Sequence, residues 1–123
     1  VNGIIKEDKG KLTDYLTKKE TGDTIVTSKE DGKYAELEYK VLERKQNKTF
    51  IEINLLTGRH HQIRVQFASR GHYLLGDQRY GILDNKQISL FSYYLSFEHP
   101  VTHEILEFKR LPDKKDYWTI FTL

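Results

Sequence analysis

From Lys33 the sequence alternates: Ala35, Leu37, Tyr39 and Val41 fall on one side and Glu36, Glu38 and Lys40 on the other. A period of two is the signature of a half-buried strand. Gln46-Asn47-Lys48 then supplies a turn, after which Thr49, Ile51, Ile53 and Leu55 alternate with Glu52 and Asn54. Two such runs across so short a turn predict an antiparallel hairpin.

Length and composition bound the rest. A chain of 123 residues forms one domain at most and buries about two-thirds of its unfolded surface. Apolar residues are 37% and charged residues 31%, but eight Tyr, six Phe and one Trp supply enough aromatic area for a core. No window approaches the ~18 consecutive apolar residues of a membrane span, and the first residues lack a signal-peptide pattern, so a cytoplasmic location is expected. The chain has no Cys, which excludes disulfides, thiolate metal sites and a cysteine nucleophile. It has no Met either, and Val1 is therefore expected to begin a processed chain or a piece of a longer one.

Other elements are read from spacing. Residues 1–32 are polar, with Gly at 3, 10, 22 and 32, and a short helical turn is expected near Leu12 to Leu16. Ile63, Phe67 and Ala68 recur at helical spacing up to Gly71, predicting a helix of about ten residues from near Arg59 to Arg70 with Gly71 as its C′ residue. Residues 88–97 alternate again; His99-Pro100-Val101-Thr102 is a turn and Ile105 to Phe108 a return strand, giving a second hairpin. The tail carrying Trp118, Ile120 and Phe121 is expected to dock its aromatics on the core. The fold class is α+β: a mainly antiparallel sheet with one short helix.

The charge map has a gap. All 14 Lys lie in residues 6–48 and 86–115, among nearly all the acids, which reads as solvated mixed-charge surface. Between Ile53 and Leu83 there is no Lys and one acid, Asp77, yet four of six Arg (Arg59, Arg64, Arg70, Arg79) and three of five His (His60, His61, His72). Arg presents a planar fork suited to phosphate or carboxylate, whereas Lys is a flexible point charge. On the predicted helix, His60 and Arg64 are i,i+4 neighbours and His61 and Arg64 are i,i+3, forming a polar face opposite Ile63 and Phe67.

The run Leu56-Thr57-Gly58-Arg59-His60-His61-Gln62-Ile63-Arg64-Val65 resembles the L-x-T-G-R-T-H-Q-I-R-V signature of the RluA-like (large-subunit-type) RNA pseudouridine synthases at nine of ten positions. The similarity continues through Gly71-His72, through Gly76-Asp77-Gln78-Arg79-Tyr80-Gly81 (G-D-x-x-Y-G) and through Phe97 to Thr102 (F-x-H-P-x-T), covering about residues 32–103. The resemblance implies the pseudouridine synthase catalytic fold and the conversion of uridine in RNA to pseudouridine, without cofactor or metal. It implies that Arg64 lies against a catalytic Asp, and that Arg59, His60, His61, Gln62, Arg70 and Arg79 face RNA. A dry pocket raises a carboxylate pKa, and an Arg within ~4–6 Å lowers it by about 1–3 units. In the family the Asp sits in an R-L-D-x-x-T-x-G motif; none of the eight Asp here has that context, and Val1-Asn2-Gly3 resembles residues that follow a later Tyr motif. Residues 1–123 are therefore expected to be one partial catalytic domain, the C-terminal portion, inactive alone. Three positions depart from the family pattern: His60 for Thr, Gln66 for His and Tyr73 for Pro. The first two keep polar groups and suggest altered RNA contacts.

Two rival classes compete with this reading. A non-catalytic RNA-binding module would use the same Arg side chains on phosphates and exposed Tyr on bases. A metal hydrolase built on His60, His61 and His72 is disfavoured because adjacent His residues on a helix point about 100° apart and match no H-E-x-x-H spacing. Taken singly, Asp77 reads as a turn former, Tyr80 as packed in its loop and His99 as a turn residue. The expected partner is a structured ribosomal or transfer RNA, with no membrane, and the open edges of a partial sheet favour self-association.

Overall fold

The computed structural model describes residues 1–122. Four antiparallel strands form the main sheet in the order β2-β1-β3-β4: β1 is Lys9–Lys18, β2 Thr24–Thr27, β3 Lys33–Lys45 and β4 Lys48–Leu55. The predicted hairpin is β3-β4, with Val41 opposite Ile51, Tyr39 opposite Ile53 and Leu37 opposite Leu55. Its turn residues Gln46 and Asn47 both have positive φ (53° and 56°), the backbone of a two-residue type I′ loop that matches strand twist. A register shift between Val41 and Glu43 bends β3 near its end.

The helical turn expected near Leu12 to Leu16 is instead the middle of β1. Spacing of i,i+4 fits one face of a helix and one face of a strand equally, and here the ladder decides: Leu12 lies opposite Leu37 and Asp14 opposite Ala35. Gly10 allows the Tyr39 ring to lie across β1, because a Cβ there would come within 2.8 Å of the Tyr39 hydroxyl.

One helix, α1 (Gln62–Ala68), covers the sheet. Its Phe67 joins Leu37, Ile5 and Leu74 in one buried cluster, and its Val65 joins Leu16 and Ala35 in a second. The C-terminal end is as expected: Gly71 takes φ +83°, and the His72 and Gly71 N–H groups close on the Phe67 and Ala68 carbonyls. The N-terminal end is shorter than the spacing predicts. His61 is left-handed (φ 53°), so the helix starts only at Gln62 and Arg59, His60 and His61 belong to the turn before it.

The second hairpin is β5 (Tyr94–Glu98) with β6 (Ile105–Lys109), Phe97 opposite Leu106 and Leu95 opposite Phe108. It begins later than residue 88 because the alternating residues before Tyr94 have no neighbouring strand among the described residues, and alternation without a ladder is not a strand. A short 3-10 helix, Asp116–Ile120, ends the described chain. The tail docks as expected: Trp118 packs edge-on and Phe121 stacks against Phe50 of β4, with centroids 6.0 and 5.3 Å away. The fold is α+β.

Candidate functional site

The site begins in the turn that follows β4. The Thr57 hydroxyl accepts the Glu36 N–H at 2.9 Å and donates to Gln62 Oε1 at 2.7 Å. Gln62 Oε1 also accepts the Arg59 N–H, and its Nε2 donates to the Glu36 carbonyl. This corrects the expectation for Gln62: it is buried, and its amide fastens the turn to β3 in place of facing RNA. Arg59 is exposed and donates through Nε to the Tyr34 carbonyl at 2.8 Å, an arrangement that leaves its outer Nη groups in solvent.

Arg64 projects from α1 onto Asp77. Its Nε donates to Oδ2 at 2.9 Å and its Nη2 to Oδ1 at 2.7 Å, a side-on bidentate pair. Asp77 is fully buried, and its Oδ1 also accepts the backbone N–H groups of Arg79 and Tyr80. Burial alone would push this carboxyl up, but Arg64 and the two N–H groups outweigh it and hold it below the usual carboxylate range. The bonds to Asp77 raise the Arg64 guanidinium in turn. Two of the five guanidinium N–H donors are thus committed, and Arg64 lines an open cleft of about 520 Å³ with Gly76, Gln78, Arg79, Lys86 and Ile88. The turn reading of Asp77 was half of its role; the signal available for the other half was that it is the one acid inside the Arg window.

Tyr80 connects the two sides of this site. Its ring lies under the Arg64 guanidinium, 5.2 Å to the centroid. Its hydroxyl accepts the Thr24 N–H at 2.9 Å and is hydrogen-bonded to His61 Nδ1 at 2.7 Å. Burial, then Arg64, His60 and Arg79, lower the His61 pKa, so the ring is neutral at physiological pH. His60 stacks on it at 3.8 Å and donates from Nε2 to the Gly22 carbonyl. Arg79 pairs with Asp23 at 3.0 Å, both partly exposed.

The structure thus gathers Arg59, His60, His61, Arg64 and Arg79 around the turn, Tyr80 and the cleft. Arg70 does not line that cleft. Its Nη1 binds Asp14 of β1 at 2.7 Å, where Gln66 also donates, so this Arg ties the end of the helix to the sheet. Lys86, which sequence spacing did not single out, does line the cleft. His72 bonds to the Asn2 carbonyl, and among the described residues no three His, Asp or Glu side chains are grouped to hold a metal ion. No helix among them is long and apolar enough to cross a membrane.

A family model described as RNA pseudouridylate synthase matches residues 2–69, which span the sheet and α1 with Arg64. The chain is 38% identical over 112 residues to an uncharacterized RNA pseudouridine synthase, YlyB, of Bacillus subtilis (strain 168), covering 89% of this chain and 37% of that protein. It is 36% identical over 115 residues to the ribosomal large subunit pseudouridine synthase D of Vibrio cholerae serotype O1, covering 80% of this chain and 36% of the relative. Among solved structures, human RNA pseudouridylate synthase domain containing 1 superposes with a TM-score of 0.77 at 25% identity, over 92% of this chain and 51% of the human one. The chain therefore spans little more than a third of these two bacterial relatives.

Proposed function

The chain belongs to the RNA pseudouridylate synthase family, and from that premise we propose that it supplies the Arg64-bearing part of an active site that isomerises uridine to pseudouridine in RNA. In that reaction the bond from the ribose C1′ to uracil N1 breaks, the base rotates and a bond from C1′ to C5 forms. Overall a proton leaves C5 and one is gained at N1, so no cofactor is consumed. The nucleophilic carboxylate comes from outside these 123 residues, since none of the eight Asp here stands in an R-L-D-x-x-T context. Residues 1–123 are then one portion of a larger catalytic domain, and the RNA is a structured ribosomal or transfer RNA.

The observation that carries this reading is the disposition of Arg64. Its Nε and Nη2 are fixed by a buried carboxylate, its Nη1 has no hydrogen-bond partner among the described residues, and the residue lines the open cleft. A guanidinium held from behind can meet a second carboxylate without reorienting, and so keep it ionised in a site closed to water. Arg79, which lines the same cleft, and Arg59, His60 and His61, in the turn before α1, are the proposed RNA contacts; Arg70 and Gln62 serve the fold.

Two measurements test it. The 123-residue chain incubated with bulk RNA should bind it and yield no pseudouridine above background; new sites would overturn the placement of the nucleophile outside the chain. In a longer polypeptide carrying the Asp motif upstream of these residues, Arg64→Ala should slow single-turnover conversion by orders of magnitude while RNA affinity stays within about tenfold. Near wild-type conversion by that variant would instead favour an RNA-binding role for this region.

A further inference from the structure

The segment from Gly76 to Ser89 closes on itself and so delivers Lys86 to the Arg64 cleft. Ser89 N–H donates to the Leu75 carbonyl at 2.8 Å, and at Gly76 (φ +80°) the two arms touch backbone to backbone, where a Cβ would stand 2.2 Å from the Gln87 carbonyl oxygen. Between the arms lies the Gln78 amide. Its Nε2 donates to the Gly76 and Lys86 carbonyls and to Asp84 Oδ1, and its Oε1 accepts the Asp84 N–H. The loop is therefore cross-braced at the point where Lys86 emerges.

Charges around the cleft are matched except one. Arg64 is paired with buried Asp77, and Arg79 with Asp23 at the surface. Asp84 is held by the Lys86 N–H, by Gln78 and by the Tyr117 hydroxyl at 2.6 Å; it feels the Lys86 charge but forms no ion pair with it. Lys86 has no ion-pair partner among the described residues, and no acid lines the cleft.

We propose that Lys86, with Arg79, is a seat for one backbone phosphate of an RNA strand lying in the cleft, beside the Arg64 edge that meets the carboxylate. A phosphodiester carries one negative charge, equal to the one unmatched cation. Its two free oxygens suit a guanidinium fork on one side and an ammonium point charge on the other. Arg79 can turn to it because an exposed pair such as Arg79–Asp23 contributes little. The identity of the ligand as RNA rests on the function proposed above; the seat itself rests on the loop geometry.

The test uses the 123-residue chain, a short uridine-rich single strand and a salt series. Lys86→Gln should weaken binding and lower the slope of log affinity against log salt by about 0.7, the value for one lost phosphate contact on a single strand. Arg79→Gln should act in the same direction, and Lys29→Gln, in the exposed turn after β2 and outside the cleft lining, should change neither quantity. Unchanged melting temperatures identify these as contact effects. Inorganic phosphate, followed by NMR on the Lys86 and Arg79 side chains, separates the two layers of the proposal. Shifts at both residues without RNA binding would uphold the seat and overturn its RNA ligand. RNA binding with an unaltered slope in Lys86→Gln would overturn the seat and leave the proposed function standing. Tighter, Lys86-dependent binding of polyglutamate than of RNA would overturn the phosphate assignment.

Discussion

A carboxylate withdrawn from water beside one guanidinium needs further donors, and Asp77 finds them in the Arg79 and Tyr80 N–H groups. Replacing it by Asn keeps the volume but removes the charge and turns one arm of the pair into a donor facing a donor. Leaving Arg64 half-buried without its partner should cost about 3–5 kcal/mol in urea unfolding. The pair also predicts acid sensitivity. The folded pKa of Asp77 lies below its unfolded value, so the stabilisation is complete above the unfolded value and is lost as pH falls through the folded one. The stability difference between wild type and Asp77→Asn should therefore be constant near neutrality and shrink below about pH 4. A difference independent of pH down to 2 would place the energy in packing. Arg64 and its planar fork were legible in the sequence; its partner was marked only as the one acid inside the Arg window, because a turn dipeptide and a buried ion pair use the same Gly-Asp.

Elements differ in how much of them spacing reveals. The β3-β4 hairpin was legible because period two and a polar turn agree, whereas β1 was not, because Leu12 and Leu16 suit both periods and only the β3 ladder chooses. Helix α1 was overextended at its start, since nothing in Arg59-His60-His61 signals that His61 turns left-handed; that conformation follows from Gln62 fastening the turn to Glu36. The β3-β4 turn offers a direct check. Gln46 and Asn47 both occupy the left-handed region that Asn and Gly tolerate better. The pair Gln46→Asn and Asn47→Gly should raise unfolding stability by about 0.5–1 kcal/mol without altering the β4 register, because the Asn47 contact to Gly3 uses the backbone carbonyl. A destabilised variant would mean that the side chains hold the turn.

On the scale of the whole molecule, apolar surface is distributed unevenly. The α1 side of the sheet is sealed by two buried clusters, while the β5-β6 hairpin exposes Leu95, Phe97, Ile105 and Phe108, with the Phe97 and Phe108 rings stacked 5.9 Å apart. The outer edge of β2 has no strand beside it among the described residues, and that of β4 is covered at its start, where Asn2 bridges Lys48 and Val1 bonds to Thr49. Apolar faces next to open edges promote pairing with another chain, and a second copy is the partner always present in a purified sample. At micromolar concentration the 123-residue chain should sediment as a two-fold dimer. Phe97→Lys with Phe108→Lys should return it to a monomer, because a charge at the centre of an apolar contact must be desolvated to re-form it. The exposed position of both rings means that the monomeric variant should keep the wild-type melting profile when extrapolated to low concentration. Wild type that is monomeric throughout, with slow amide exchange along β4 and β5, would show that these edges are already protected within one chain.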